Sequence, residues 1–534
     1  DVYDDLSIVK GRHTIKIGMG VERHRLNNSS EAQYADTTLT YASPQDFVNN
    51  VLSDYFFVGK LTLGGHRRTY FMPYVQDTFK VRPNLTLYYG LRYEYYTVLK
   101  EVYGRQAVVT IACGGFCPKG TPLYGPTYRN FGPRLGLAWI PGGAGGHTVL
   151  RAGFGMYYEP NQMDDFSDGH ESTGQRVDVS SADVPGLTWP VTPSQLTAPF
   201  YSPKAWDPSR HDGYFEDWDF SLQRMFPHGF LGKIAYQGSE GHHLFSAVRF
   251  NRINRLTGTR PIPTFGEFNQ KGNNGNSNFH SLQVSMERPL TSGWLWGTQY
   301  MWAHGLSDNG FGAGEYPHIE NYSCIKCSYS STDIDIRQTL SVNTVYELPF
   351  GPGKRFLTSG GVAGKLLGGW ELSGIGSAST GRPIDILVDV SPSDRPDGVT
   401  RNQRPDLVPG VPIYPANRTI NHWFDETFLP DGTPVSPFAV PAVGTWGNVG
   451  RNFGRGPGYY EIDTALEELM ALTERLNVKF RAEGFNLFNH PIYGDPASDI
   501  SDPASFGVIT NQLNTNPTGL GSSRKIQFML RLEF

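Results

Sequence analysis

The side chains able to do chemistry are few. The four cysteines stand as two local pairs, Cys113/Cys117 and Cys324/Cys327. In an oxidising compartment each pair closes a small loop; a four-thiolate zinc site needs both loops to meet. His242, His243 and His490 have a ligand type that suits metal uptake, although a structural role beside a loop is the more economical reading. Asp164, Asp165, Asp168 and Glu171, and likewise Asp389, Asp394 and Asp397, are either calcium-binding loops or solvated loop charge. Trp189, Trp206 and Trp423 either form a stacking platform for a glycan or aromatic ligand or pack loops together. There is no His-Glu-x-x-His, no Gly-x-Ser-x-Gly elbow and no P-loop. The glycine runs Gly142–Gly146 and Gly310–Gly314 do not open helices and read as turns or loops. The expectation is a protein that is not an enzyme and carries no cofactor.

The elements that would position these groups are strands. Of 534 residues, 62 are Gly and 38 Pro, a density that breaks most long helices. No apolar run approaches the roughly 18 residues of a membrane-spanning helix. The net charge of -5, without a basic block, excludes nucleic acid as the main partner. Period-2 alternation recurs instead. Ile526, Phe528, Leu530, Leu532 and Phe534 alternate with mostly polar residues, as do Leu85, Leu87, Tyr89, Leu91, Tyr93 and Tyr95. Leu476, Val478, Phe480 and Ala482 oppose Asn477, Lys479, Arg481 and Glu483.

Thirteen such segments follow from residue 68, near 68–82, 84–97, 128–140, 147–159, 213–225, 229–240, 277–288, 294–304, 335–349, 368–380, 459–469, 474–488 and 521–534. Many reach the roughly 9–11 residues that a tilted bilayer-crossing strand needs, longer than the average globular strand. Tight links alternate with long ones (98–127, 160–212, 241–276, 305–334, 381–458 and 489–520), as periplasmic turns and extracellular loops do in outer-membrane barrels. The link 350–367 is long for a turn. Thr464–Leu476 also reads as an amphipathic helix through Leu466, Leu469, Leu472 and Leu476. Residues 1–67 hold up to four weaker strands, His13–Arg23 the clearest. Trp294 and Trp296 at one strand end, with Tyr300 and Trp302 on the same face at the other, predict two aromatic girdles.

Several segments carry a resemblance. Tyr74–Tyr95 (YVQDTFKVRPNLTLYYGLRYEY) resembles the barrel hallmark of TonB-dependent receptors, particularly the Oar-like group with a carboxypeptidase-regulatory-like N-terminal domain. Asn130–Trp139, Thr148–Pro160, Gly238–Leu244, Ser277–Ser285, Tyr346–Lys354, Leu366–Gly374, Gly447–Gly458 (GNVGRNFGRGPG) and Arg481–Gly494 (RAEGFNLFNHPIYG) follow in the order of that family. The resemblance implies an all-β, antiparallel transmembrane barrel of the Gram-negative outer membrane, roughly 22-stranded when whole. The thirteen to seventeen strands here then imply a truncated part of that barrel, consistent with a chain that opens at Asp1 without Met. Residues 68–534 would be the C-terminal barrel portion, with signal peptide, regulatory-like domain and plug upstream.

The implied function is energised uptake or export of a bulky extracellular ligand. The implied partners are outer-membrane lipid, the protein's own plug, TonB–ExbB–ExbD through an upstream TonB box, and the barrel-assembly machinery, which would read Phe528, Leu530, Leu532 and Phe534. Arg92, Glu94, Arg151, Lys479, Arg481 and Glu483 should face the lumen and meet the plug. A passive porin or adhesin-like barrel and a secreted β-rich glycan-binding protein are the alternatives.

Overall fold

The computed structural model describes all residues except 29–36, 59–63, 144, 161–175, 182–183, 193–194, 196–201, 204, 253–258, 309–318, 322, 359–361, 391–393, 397–402, 426, 429–433, 472–475 and 513–522. Alternating sequence becomes one sheet of 19 strands, antiparallel throughout its long strands. Fifteen of these are nine residues or longer and form its wall: β1 Val2–Lys10, β2 His13–Asn28, β3 Gly64–Arg82, β4 Leu85–Tyr93, β5 Phe131–Trp139, β6 Thr148–Glu159, β7 Gly213–Met225, β8 Leu231–Phe250, β9 Phe268–Thr291, β10 Trp294–Ser307, β11 Gln338–Glu347, β12 Trp370–Ser379, β13 Tyr459–Ala471, β14 Asn477–Phe485 and β15 Lys525–Glu533. Each wall strand pairs with the next in sequence, a plain meander. Among the described residues β1 and β15 do not pair with each other.

All thirteen segments expected after residue 68 are wall strands. Of the four weaker N-terminal ones, two are β1 and β2, and β3 begins at Gly64, so the boundary expected at residue 67 falls inside a strand of one continuous sheet. The other two, Thr38–Thr40 and Asp54–Val58, leave the wall and form a small sheet with Arg176–Ser180. Thr464–Leu476 is strand rather than helix as far as Ala471, because register places Glu467 opposite Arg481. The link expected over 241–276 is shorter: β8 and β9 continue their pairing to Phe250 and from Phe268, through register shifts around Leu244. The long turn between β11 and β12 contains a short helix, Val362–Leu367.

The register carries one face across the whole sheet. One row runs Leu87, Leu137, Ala152, Phe220, Tyr236, Leu282 and Trp302 over seven strands. Another runs Trp294, Tyr346, Leu372, Leu466, Ala482 and Phe528. Many side chains of this face stand uncovered: Phe220 is 51% exposed, Trp302 55% and Phe528 70%, as are Leu135 and Leu530 beside the rows. An apolar surface of this extent far exceeds what a water-soluble monomer presents, so its partner is hydrocarbon.

The packed apolar cores lie in the long links instead, one of them taking in Phe268 from the start of β9. Leu99, Val108, Leu123, Tyr124 and Trp206 form one. Ile384, Ile386, Phe424, Phe438, Val449 and Phe506 form another. Val109, Ala205, Ile262, Phe265 and Phe268 make a third, and Leu52, Val179 and Leu187 a fourth.

Placing a charge on the uncovered face should therefore be costly. Phe220→Arg is expected to lower unfolding free energy in lipid vesicles by about 2–4 kcal/mol, as for cations near the bilayer midplane. Ser221→Arg, on the opposite face, should cost far less in the same urea titration.

Candidate functional site

The opposite face of the wall is polar, and its charges form two groups. Toward the long-link end, Arg92 on β4 lies 3.7 Å from Glu94 and its guanidinium stands 5.4 Å from the ring centre of Tyr74. Glu94 is buried and accepts a hydrogen bond from the Tyr96 hydroxyl. Arg134 stacks on Tyr157 at 4.6 Å. Arg92, Arg134, Tyr157, Asp217, Asp219 and Gln237 help to line a cleft of about 260 Å3. Glycines on β6 make room for it: a Cβ on Gly153 would collide with the Asp219 carboxylate. The cleft therefore offers two cations stacked on aromatic faces beside two carboxylates, a surface suited to polar and charged groups.

The second group lies at the tight-turn end of β11–β14. Register sets Glu347 opposite Glu371, Glu371 opposite Glu467, and Glu467 opposite Arg481. Adjacent like charges repel, and cations bracket the row. Lys354 pairs with Glu347. Lys479 and Arg481 reach Glu467 at 3.2 and 3.0 Å, and Arg481 also holds Glu483 at 2.6 Å.

A third assembly ties the long links to the wall. The Asp335 carboxylate, 1% exposed, receives Arg455 Nη2 at 2.6 Å, Arg337 Nε at 3.0 Å and the Gly305 N–H at 3.0 Å. His304 Nδ1 lies 3.2 Å from the same carboxylate. Asn452 donates to Ser331 O and Asp333, and Arg451 to Ser307 O. Arg404 and Glu320, 6% and 5% exposed, pair at 3.0 Å. Burial alone would raise the Asp335 carboxyl; the hydrogen bonds with Arg455, Gly305 and His304 outweigh it and hold its pKa down at about 2. Burial pushes the Glu320 carboxyl up, against the pull of Arg404.

Residues 1–527 match the outer membrane beta barrel domain family. The chain belongs to that family, and its place is the outer membrane. A search among curated protein sequences finds no match. Among solved structures the chain is similar to the outer membrane transporter YddB from Escherichia coli, at 13% identity and a TM-score of 0.48, covering 99% of this chain and 52% of that one. It is also similar to the FrpB iron transporter from Neisseria meningitidis, at 10% identity and a TM-score of 0.47, covering 99% of this chain and 55% of that one. The chain thus spans about half the length of these transporters.

With the barrel established, the uncovered face is the lipid side and the polar face the lumen. The six charged residues singled out in the sequence all lie on the polar face, but not as one site. Arg92 pairs with Glu94; Lys479, Arg481 and Glu483 join one network; Arg151 stands apart and bonds Gln223 at 3.0 Å. Phe528, Leu530, Leu532 and Phe534 face lipid, uncovered. Cys113 is bonded to Cys117, and Cys324 to Cys327, within loops, so no joint thiolate zinc site exists.

His242 lies 3.6 Å from Glu240 and beside the Tyr214 ring, whereas the other two histidines are held through the backbone. His243, at φ 53°, sits where β8 shifts register, and its carbonyl receives Asn273 Nδ2 at 2.8 Å. His490 is held through its own N–H and C=O by Asn486 and lies against the Tyr460 ring. Trp206 is a core residue of the loops, and Trp423 donates to Arg455 O at 2.7 Å. Trp189 is exposed beside Tyr55. Asp164, Asp165, Asp168, Glu171 and Asp397 lie outside the described residues, as does Gly310–Gly314. Among the described residues no three His, Cys, Asp or Glu side chains gather as a metal site.

Sequence reasoning missed Asp335, Arg404, Glu320 and the roles of Arg451, Asn452 and Arg455, although the last three stand in the quoted GNVGRNFGRGPG string. An Arg-Asn-Arg set inside a glycine-rich loop was the available signal.

Two outcomes are expected. A carboxyl whose pKa is depressed stabilises the fold above its unfolded value and loses that contribution as pH falls through the folded one. Hydrogen-exchange protection of residues 447–458 should therefore persist down to about pH 4 and collapse by about pH 2, a change of about 2 kcal/mol that Asp335→Asn removes. In the lumen, Glu467→Gln should weaken the wall by about 1 kcal/mol at low ionic strength and less in high salt, read from urea unfolding in vesicles.

Proposed function

We propose that this chain is barrel wall and outer loops of a TonB-dependent receptor that moves a bulky ligand across the outer membrane by energised uptake or export. The observation that supports this most directly is where the hallmark segments fall. Tyr74–Tyr95, the strongest carrier of the resemblance, contains the β3–β4 hairpin with its tight turn at Pro83–Asn84, and Gly447–Gly458 is the segment that ties the outer loops to Asp335. The strings thus coincide with the joints on which this wall depends.

In this reading the loops and the upper cleft with Arg92, Arg134, Asp217 and Asp219 receive the ligand. The lumen charges at Glu467, Lys479, Arg481 and Glu483 meet a plug encoded upstream, and TonB–ExbB–ExbD drives its rearrangement. Phe534 and its row serve the barrel-assembly machinery. The chain performs no covalent chemistry.

A ligand-free measurement separates this from a passive porin. Full-length protein in planar bilayers should show no steady conductance, and a form lacking the plug should conduct. Steady ohmic conductance from the intact protein would assign a porin instead.

A further inference from the structure

The lipid face of the wall changes character at its long-link margin. Where β2 and β3 leave the belt, the pairing sets Arg25 opposite Arg67, and Arg67 opposite Lys100 on the short strand Lys100–Glu101. Arg23 stands one step lower on the same face, opposite Thr69. One step below that come Val21, Phe71 and Tyr95, again in register. Phe71, Tyr95 and Tyr128 stack in file, with ring centres 6.2 and 5.3 Å apart, and Tyr93 packs on Phe131 at 4.9 Å. An aromatic file at the end of an apolar belt marks the membrane interface. Arg67 is four residues from Phe71, roughly 13 Å along the strand and roughly 10 Å in height once the strand tilts. The cations therefore stand at headgroup level.

Arg23, Arg25 and Lys100 are exposed, and Arg67 is half-buried. Arg23 Nη1 donates to Thr69 Oγ1 at 2.5 Å, and Arg67 Nη1 to Asn27 Oδ1 at 2.9 Å and His66 O at 2.8 Å. Among the described residues none of the four pairs with a carboxylate. Glu22 and Glu101 belong to the opposite face, in register with Tyr70 and His66. Like charges directly opposite each other repel, so an anion that bridges this row is favoured. The row spans three strands, roughly 10 Å. One phosphodiester answers one or two of these cations, whereas a headgroup with a phosphate at either end answers the whole set. Guanidinium groups suit phosphate because they donate two parallel hydrogen bonds. The apolar steps at Val21, Phe71 and Tyr95 lie directly beneath, where the acyl chains of such a lipid would run.

We propose that Arg23, Arg25, Arg67 and Lys100 bind the phosphates of an acylated disaccharide carrying two phosphomonoesters, a glycolipid of the lipid A class. With the long links outside, as in the proposed function, this lipid belongs to the outer leaflet. The site is turned away from the lumen, so it is independent of any ligand the barrel moves.

Native mass spectrometry on the full-length protein in detergent tests this, with bisphosphorylated lipid A, its monophosphorylated form and phosphatidylglycerol supplied in equal amounts. The bisphosphorylated form should be retained severalfold over the other two. The double variant Arg25→Gln/Lys100→Gln, which changes two exposed side chains, should abolish that preference. Arg224→Gln, an exposed cation on the lipid face at the tight-turn end of β7, should keep it. Equal retention of the three lipids, or preference for phosphatidylglycerol, overturns the proposal. So does an unchanged preference in the double variant, or an equal loss in Arg224→Gln. Should the double variant fail to assemble, the order of the three lipids on the wild-type protein decides alone.

Discussion

The wall is one layer thick, and everything else about the molecule follows from that. A sheet in a water-soluble protein buries an apolar face against a second layer of its own chain. Among the described residues no second layer covers the lipid side, so the bilayer takes its place. The backbone cannot be left to water there, and neighbouring strands satisfy each other's N–H and C=O groups through the meander. Apolar side chains such as Leu135, Phe220 and Leu530 are consequently the exposed ones. Several of the most buried residues are instead charged, among them Arg404, Glu320, Arg451 and Asp335.

That inversion explains the character of the lumen charges. On a hydrated face, like charges can stand side by side if cations bracket them, as Lys354, Lys479 and Arg481 bracket Glu347, Glu371 and Glu467. Arginine recurs because its planar guanidinium can pair and stack at once; Arg92 and Arg134 both use aromatic faces beside the upper cleft. The loop charges follow a stricter rule. Away from solvent, each must find several partners, and the Asp335 carboxylate does so by gathering two arginines, a histidine and a backbone N–H.

The wall was legible because strand and lipid impose a strict period of two. Of the thirteen strands β13 was the ambiguous one, because Leu466, Leu469, Leu472 and Leu476 also fit a helical spacing and the adjacent Glu467 and Glu468 interrupt the alternation. The register resolves this: Glu467 faces the lumen opposite Arg481, and Glu468 falls on the outer face opposite Phe480. Extensions of β8 and β9 were not legible, since the stretch Lys271–Asn278, rich in Gly and Asn, has no apolar face once it rises above the membrane. The loop assembly was less legible still. Arg455 and Asp335 are 120 residues apart, and no local spacing announces a contact set by where two loops happen to return.

The separate apolar cores of the loops have a consequence for how such a protein can change. The core of Ile384, Ile386, Phe424, Phe438, Val449 and Phe506 is built from two links alone, and residues of the lipid-spanning belt contribute nothing to it. That cap therefore behaves like a cartridge seated in a socket, joined through a few polar latches at its base. Recombination could exchange one cartridge for another of different shape while the socket and its membrane fit stay untouched. Selectivity and residence in the membrane then become separately heritable traits of one chain.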